Sequence, residues 1–266
     1  MKLALVIDVP PWRAVNRWFI RRIEESFALC AVLTVDGGSR SRRRVGYLIR
    51  KHGYAGALPK LAAGLLFRRH TRRIGSAVEA RFGPLAGDYQ PSAPVIHIGS
   101  LSDDALPRWL DEHRPDVVVP FAGGIIREHL LDRCAWVRWH HGITPDIRGL
   151  ASSYWAIHDN RPEWLGLTIQ RLAKKLDSGA ILAQQRLVPT SDDDLASVQV
   201  KLDELCLDLL LGALGRWRDG ESNPRPCDPG LGCYRSSPTL MSLIRFPTRQ
   251  RTFFRQFAGT PQRPIP

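Results

Sequence analysis

The sequence predicts an α/β protein built on a mostly parallel sheet with helices on both faces. Short β-branched and Leu-rich runs alternate with longer segments of helical period. The first strand, helix and strand fall within 35 residues, which implies a parallel pair joined by a right-handed crossover. Pro115-Asp116-Val117-Val118-Val119-Pro120 carries the unbroken apolar run of a strand buried on both faces, as parallel sheets demand. A chain of 266 residues suits one large domain, with or without a small appendage.

Residues 3–7 form the first expected strand, which Pro10 and Pro11 close. Residues 12–25 form a helix on Val15, Trp18, Phe19 and Ile23, and residues 27–35 a second strand. From 39 to 81 the alternation stops. Val45, Leu48, Leu58, Leu61, Leu65 and Leu66 suggest two short helices around residues 53–59, a basic insertion lying on the surface. Alternation resumes with a strand at 94–98, a helix at 103–113 capped by Ser102, the strand at 115–120 and a helix at 127–132. A fifth strand at 136–139 runs into His140 and His141. A helix at 152–158 and strands at 166–171 and 180–187 follow. The long helix at 194–214 sets Leu195, Val198, Leu202, Leu205 and Leu209 at steps of three and four. These elements make an α/β domain over residues 1–215. Beyond it, Pro224, Pro226, Pro229, Pro238 and Pro247 break up the chain, and residues 216–266 read as an irregular, basic, Pro-rich extension.

The net charge of +12 is local. No acid lies between Asp36 and Glu79, but eleven bases do: Arg40, Arg42, Arg43, Arg44, Arg50, Lys51, Lys60, Arg68, Arg69, Arg72 and Arg73. Such a segment suits nucleic acid, anionic lipid or a phosphorylated substrate, and equally a solvated helix face. The five cysteines have no C-x-x-C spacing, so neither a disulfide framework nor a zinc knuckle is expected. A reduced, cytoplasmic setting fits that usage. The apolar stretch at the N-terminus is too short for a signal peptide, and no run approaches the roughly 20 apolar residues of a membrane span.

Chemistry concentrates in two stretches. The first is Val137-Arg138-Trp139-His140-His141-Gly142-Ile143-Thr144-Pro145-Asp146-Ile147-Arg148-Gly149. The second is Leu176-Asp177-Ser178-Gly179-Ala180-Ile181-Leu182, where a carboxylate sits on a Gly turn between apolar runs. In open α/β sheets ligands bind beyond the carboxyl ends of the strands, so the loops at 121–126 and 140–149 and Asp177 converge on one expected cleft. Gly123 and Gly124 either let a ligand approach the backbone or make a tight turn. A strand-end histidine and a neighbouring aspartate make a common acid–base pair. His140 and His141 are adjacent on an extended chain and point to opposite faces, which argues against a shared metal.

His140, Pro145, Arg148 and Gly149, followed by Gly166-Leu167-Thr168-Ile169 and by the stretch from Leu176 to Leu182, resemble the folate-dependent formyltransferase family. That family includes methionyl-tRNA, glycinamide ribonucleotide and sugar N-formyltransferases. Its pattern is Asn-x-His, a loop ending Pro-x-x-Arg-Gly, then Gly-Val-Thr-Ile, then Leu-Asp-Thr-Gly with an apolar tail. The spacing matches without a gap, and the likeness covers about residues 115–185. It implies a Rossmann-like domain using 10-formyltetrahydrofolate as co-substrate and no metal. By resemblance, His140 and Asp177 are catalytic. Ala122, Gly123, Gly124, Ile125 and Ile126 line the pterin pocket, with Leu130 on its apolar wall and Ile143 and Thr144 beside the folate. A histidine held by a carboxylate can be cationic near neutral pH and donate to an oxyanion, while the charge of Arg138 works to depress the pKa of His140.

Arg138 departs from the pattern, standing where the family has Asn. It shares a strand face with His140. Its guanidinium can donate to an oxyanion but accepts no hydrogen bond, so it marks altered chemistry or lost activity. The function implied is formyl transfer to a primary amine of a small, possibly phosphorylated molecule such as an amino sugar nucleotide. The basic segment alone supports a second expectation, methionyl-tRNA as acceptor. A third is ligand binding without catalysis.

Overall fold

In a computed structural model, residues 1–36, 40–99, 101, 104–121, 126–174 and 177–260 are described, without the side chains of 40–49 and 52. Ala122, Gly123, Gly124, Ile125, Leu176 and the expected cap Ser102 lie outside the described residues. β1 (Leu3–Asp8) sends Leu3, Leu5 and Ile7 into one apolar cluster and Ala4 and Val6 into another. This two-sided burial follows from the period of two along a strand that is covered on both faces. β2 (Leu29–Val35) lies parallel to one edge of β1, and β3 (Val95–His97) parallel beyond it. On the other edge, β4 (Val117–Pro120) and β5 (Ala135–His140) continue the parallel set. β7 (Gly166–Arg171) and β8 (Ile181–Arg186) complete the seven-stranded sheet as antiparallel strands. The chain switches direction across the sheet between β1 and β4, which puts a crevice at their carboxyl ends.

On one face pack α1 (Ala14–Ser26), α2 (Arg40–Ala86), α5 (Ser152–His158), α6 (Leu195–Arg218) and α7 (Leu240–Phe257). α3 (Ala105–His113) covers the other face with Leu106, Trp109 and Leu110, joined by Leu130 of α4 (Glu128–Leu131). α6 starts sharply. Asp194 Oδ1 accepts from the backbone N–H of Ala196 and Ser197, and the Ser197 hydroxyl accepts from the Asp194 N–H. This reciprocal cap satisfies donors that the first turn otherwise strands.

Two expectations about elements are corrected. The insertion is not a pair of short surface helices. Its only non-helical residue is Gly53, at φ 67° and ψ 175°, and the helix then runs on through Pro59 and Pro84 to Ala86. Ala57, Ala63, Val78, Phe82 and Ala86 are buried, and α2 packs on α1 and α6. That burial supports a helix across prolines, each of which removes one backbone hydrogen bond. The extension after 216 is not irregular throughout. β9 (Cys233–Arg235) pairs with β6 (Ile147–Gly149). α7 buries Leu243, Phe246, Phe253 and Phe254 despite Pro247. Those aromatics keep a helical spacing that the prolines obscure in the sequence. The Tyr154 hydroxyl donates to Ser242 Oγ at 3.0 Å, and the Tyr154 and Phe246 rings stack at 4.2 Å, fastening α7 to α5. Among the described residues, no helix is long and apolar enough to cross a membrane.

Candidate active site

His140 is the last residue of β5, and its side chain is 8% exposed. Its Nδ1 faces Asp177 Oδ2 at 3.5 Å. Its Nε2 lies 3.1 Å from both the Ile147 carbonyl and Ser152 Oγ. With the proton on Nδ1, Nε2 accepts from the Ser152 hydroxyl. With both nitrogens protonated, Nε2 donates to the Ile147 carbonyl. The ring therefore has a partner for each nitrogen in either charge state, which suits a group that gains and loses a proton.

Asp177 occupies the β7–β8 turn at φ 49°, a left-handed conformation that Asp tolerates better than most residues. Its Oδ2 accepts from the Gly149 N–H at 2.9 Å, and its Oδ1 accepts from Gln170 Nε2 at 3.2 Å. Gly149 itself lies at φ 101°, and a Cβ there would sit 2.2 Å from the Arg235 carbonyl oxygen. Glycine at 149 thus lets β6 lie against β9 while aiming its N–H at the carboxylate. Gly142 is equally constrained: a Cβ there would meet His140 Nε2, Ile147 Cγ2 and Ser152 Cβ, each at 2.9 Å.

Burial and neighbouring charges act together on His140. Burial holds its pKa below the ordinary 6.5. The Asp177 carboxylate and the Ile147 carbonyl oppose that shift, whereas His141 and Arg138 add to it. Burial wins, so His140 is neutral near pH 7 in the free protein.

A cavity of about 300 Å³ opens here, at the carboxyl ends of β4 and β5. Arg138, His140 and Asp177 line it together, with Phe121 and Trp139, while Phe67 and Ile74 of α2 wall it from outside the sheet. Phe121 and Trp139 meet edge to face at 4.9 Å. Arg138 is half-buried and has no ion pair or hydrogen bond among the described residues. The other expected ligand contacts fall elsewhere. Ile143 and Thr144 are buried, with Thr144 N–H donating to Thr168 Oγ1 at 3.1 Å. Leu130 is in the α3-side core, its carbonyl accepting from Trp136 Nε1 at 2.8 Å. Ile126 packs at the edge of that same core. None of these four lines the cavity. A larger hollow of about 530 Å³ lies apart from this chemistry, between α1 and residues 89–94, where Glu24 binds Tyr89 and two backbone N–H groups.

Several partners were not evident from sequence. Ser152 and Gln170 hold His140 and Asp177, but isolated polar residues in apolar segments give no advance signal of whom they meet. His141 lies just beyond β5 and lines the same cavity, but its ring meets other partners. Its Nδ1 is 3.0 Å from Gln199 Nε2. Its Nε2 is 3.3 Å from Asp203 Oδ1, close enough for an ion pair but off-axis for a hydrogen bond. The two histidines therefore engage different carboxylates.

The sequence profile of the family described as Formyl transferase matches residues 84–214. The methionyl-tRNA formyltransferase of Levilactobacillus brevis is 36% identical over 132 residues, covering 48% of this chain and 41% of that protein. Its namesake from Enterococcus faecalis is 34% identical over 115 residues, covering 42% and 36%. The chain thus spans less than half the length of these two curated relatives. Among solved structures, a sugar N-formyltransferase from Shewanella sp superposes with a TM-score of 0.56 at 15% identity, covering 89% of this chain and 76% of that one. A phosphoribosylglycinamide formyltransferase from Bacillus halodurans gives 0.52 at 17%, covering 82% and 95%. Those two likenesses share the α/β sheet described above. The sheet, the strand-end histidine and the matched segment agree, and residues 84–214 of the chain carry the sequence pattern of the formyl transferase family.

Proposed function

We propose that this protein transfers a formyl group from 10-formyltetrahydrofolate to a primary amine of a small molecule, with an amino sugar nucleotide as the favoured class. One observation carries the reading: His140, its carboxylate partner Asp177 and Arg138, whose side chain has no partner among the described residues, line a single cavity. The aromatic walls of Phe121 and Trp139 suit the flat ring of a folate. The resemblance adds Ala122, Gly123, Gly124 and Ile125 to that side of the pocket. When bound, the co-substrate supplies an activated formyl carbon.

His140 is assigned as the base. An attacking amine must shed a proton, and a neutral imidazole can take it where a cationic one cannot. Asp177 then balances the new charge from 3.5 Å, and as the tetrahedral centre collapses the formyl C–N bond to the folate breaks and the proton passes from His140 to the departing folate nitrogen. Arg138 is assigned the oxyanion role. Its guanidinium is positively charged before reaction and donates to the formyl oxygen as negative charge gathers there. The division of labour follows from charge: a cation on the same strand face helps keep His140 unprotonated. Catalysis is assigned to residues 1–215.

The test is release of tetrahydrofolate from 10-formyltetrahydrofolate in the presence of a panel of amino sugar nucleotides. His140→Asn is expected to lose about 10²- to 10⁴-fold in turnover, with unchanged circular dichroism. Full turnover by that variant would sink the assignment. The name of the curated relatives favours a second acceptor, methionyl-tRNA, and a parallel assay with charged tRNA decides between them.

A further inference from the structure

We propose that the outer face of α2, continued by α7, is a docking surface for an anionic lipid bilayer. This inference stands apart from the transferase reading and does not need it. The face has a composition that solvent does not favour. Tyr54, Leu58 and Leu65 are 80%, 69% and 63% exposed. They are separated by four and seven residues, so they fall within about 40° of each other around the helix. Arg68, Arg69 and Arg72 are exposed on the same side. From Tyr54 to Arg72 the stripe runs about 27 Å at 1.5 Å per residue. Other sides of α2 are occupied: Ala63 and Val78 across from the stripe, and Ala57 and Phe82 along one flank, are buried in the protein core. The exposed apolar residues are therefore not a core face left uncovered by chance packing.

α7 packs against α2, with the Phe246 and His70 rings 5.3 Å apart. It repeats the pattern. Met241 and Ile244 are 55% and 59% exposed, and Arg245, Arg249, Arg251 and Arg255 are exposed beside them. Neither α7 nor the stretch between Asp36 and Glu79 contains an acid.

Charge complementarity selects the occupant. A second copy of this chain would bring like charges together, at a cost that rises with each pair. A nucleic acid would take the arginines, but exposed leucine, isoleucine and methionine have no role against phosphates. An anionic bilayer uses both parts. The bases meet the headgroups, and the short apolar stripe enters the boundary between headgroup and acyl chain.

Co-sedimentation of the full chain with vesicles tests this. The vesicles are phosphatidylcholine alone and phosphatidylcholine with 30% phosphatidylserine, at about 0.1 M salt. Binding is expected on the anionic vesicles and not on the neutral ones. Arg68→Gln/Arg69→Gln/Arg72→Gln should weaken it about a hundredfold, at about 1 kcal/mol per cation near an anionic surface. Leu58→Ser/Leu65→Ser should weaken it about tenfold. All these positions are exposed, and a thermal melt on each variant verifies that the fold persists. No sedimentation with anionic vesicles at low salt would overturn the proposal. So would binding that ignores the leucine pair, because the surface would then be a plain electrostatic patch. Tight binding of tRNA with no vesicle binding would assign the same arginines to nucleic acid instead.

Discussion

His140 is held by three groups, and their demands conflict with one another and with burial. Burial favours the neutral ring, Asp177 favours the cation, and Ser152 and Ile147 serve one form each. If His140 is the base, kcat/KM should fall on the acid side through a pKa below 6.5, the ordinary histidine value. Arg138→Gln removes a charge that lowers this pKa, so the acid limb should move to higher pH while kcat drops about 10- to 100-fold. A pH–rate profile of both proteins checks the pair of shifts. A gain of activity in Arg138→Asn would instead mark Arg138 as an impairment. Gly142→Ala removes no reacting group, yet its Cβ would press on His140 Nε2 and Ser152 and displace them. The expected result is loss of turnover with little change in folate-analogue binding, read by calorimetry.

Two helices frame the site without supplying its chemistry. α6 brings Leu195 and Gln199 to the cavity, and its start is fixed by Asp194. The same carboxylate pairs with Arg73 of α2 at 2.6 Å, so one side chain caps α6 and ties it to the helix across the cavity. Asp194→Ala should cost about 1 kcal/mol through the cap, seen as a lower midpoint in urea. The Arg73 pair is largely exposed and adds little. An Arg73→Gln variant should therefore be nearly silent in stability. The stretch from Leu195 to Leu209 announced this helix by its period alone. α2 did not announce itself in that way, because Gly53, Pro59 and the run of arginines read locally as breaks and solvated charge. Its length is supported by burial against α1 and α6, which no local propensity contains.

Across the whole molecule, stability and pH are linked through buried histidines. His140 and His70 both have lowered pKa values in the folded chain, each mainly through burial. The unfolded chain therefore binds protons first as pH falls. Stability from these neutral rings is full above about 6.5, the unfolded value, and declines as pH drops below it. Melting temperature should fall between about pH 6.5 and 5, and a His140→Gln variant should show a shallower slope. The C-terminal helix is part of the same cooperative unit. Phe253 is fully buried, so Phe253→Ala should cost about 3–5 kcal/mol, a large share of the roughly 5–15 kcal/mol that holds a typical domain.

The sequence by itself determined the order along the chain of most strands and helices, because periods of two and 3.6 are local properties that survive without neighbours. It also singled out His140, Asp177 and Arg138, because their motif spacing is a property of the chain. Tertiary structure decided what depends on who stands opposite. It set the neutral state of His140, which desolvation fixes against the pull of Asp177. It chose Ser152 and Gln170 as the partners of His140 and Asp177. It turned an apparently irregular, proline-broken tail into a docked helix. In each case the deciding contact is with a residue outside the local pattern, from 7 positions away for Gln170 and Asp177 to 88 for Tyr154 and Ser242, and that partner cannot be read from the sequence around either one.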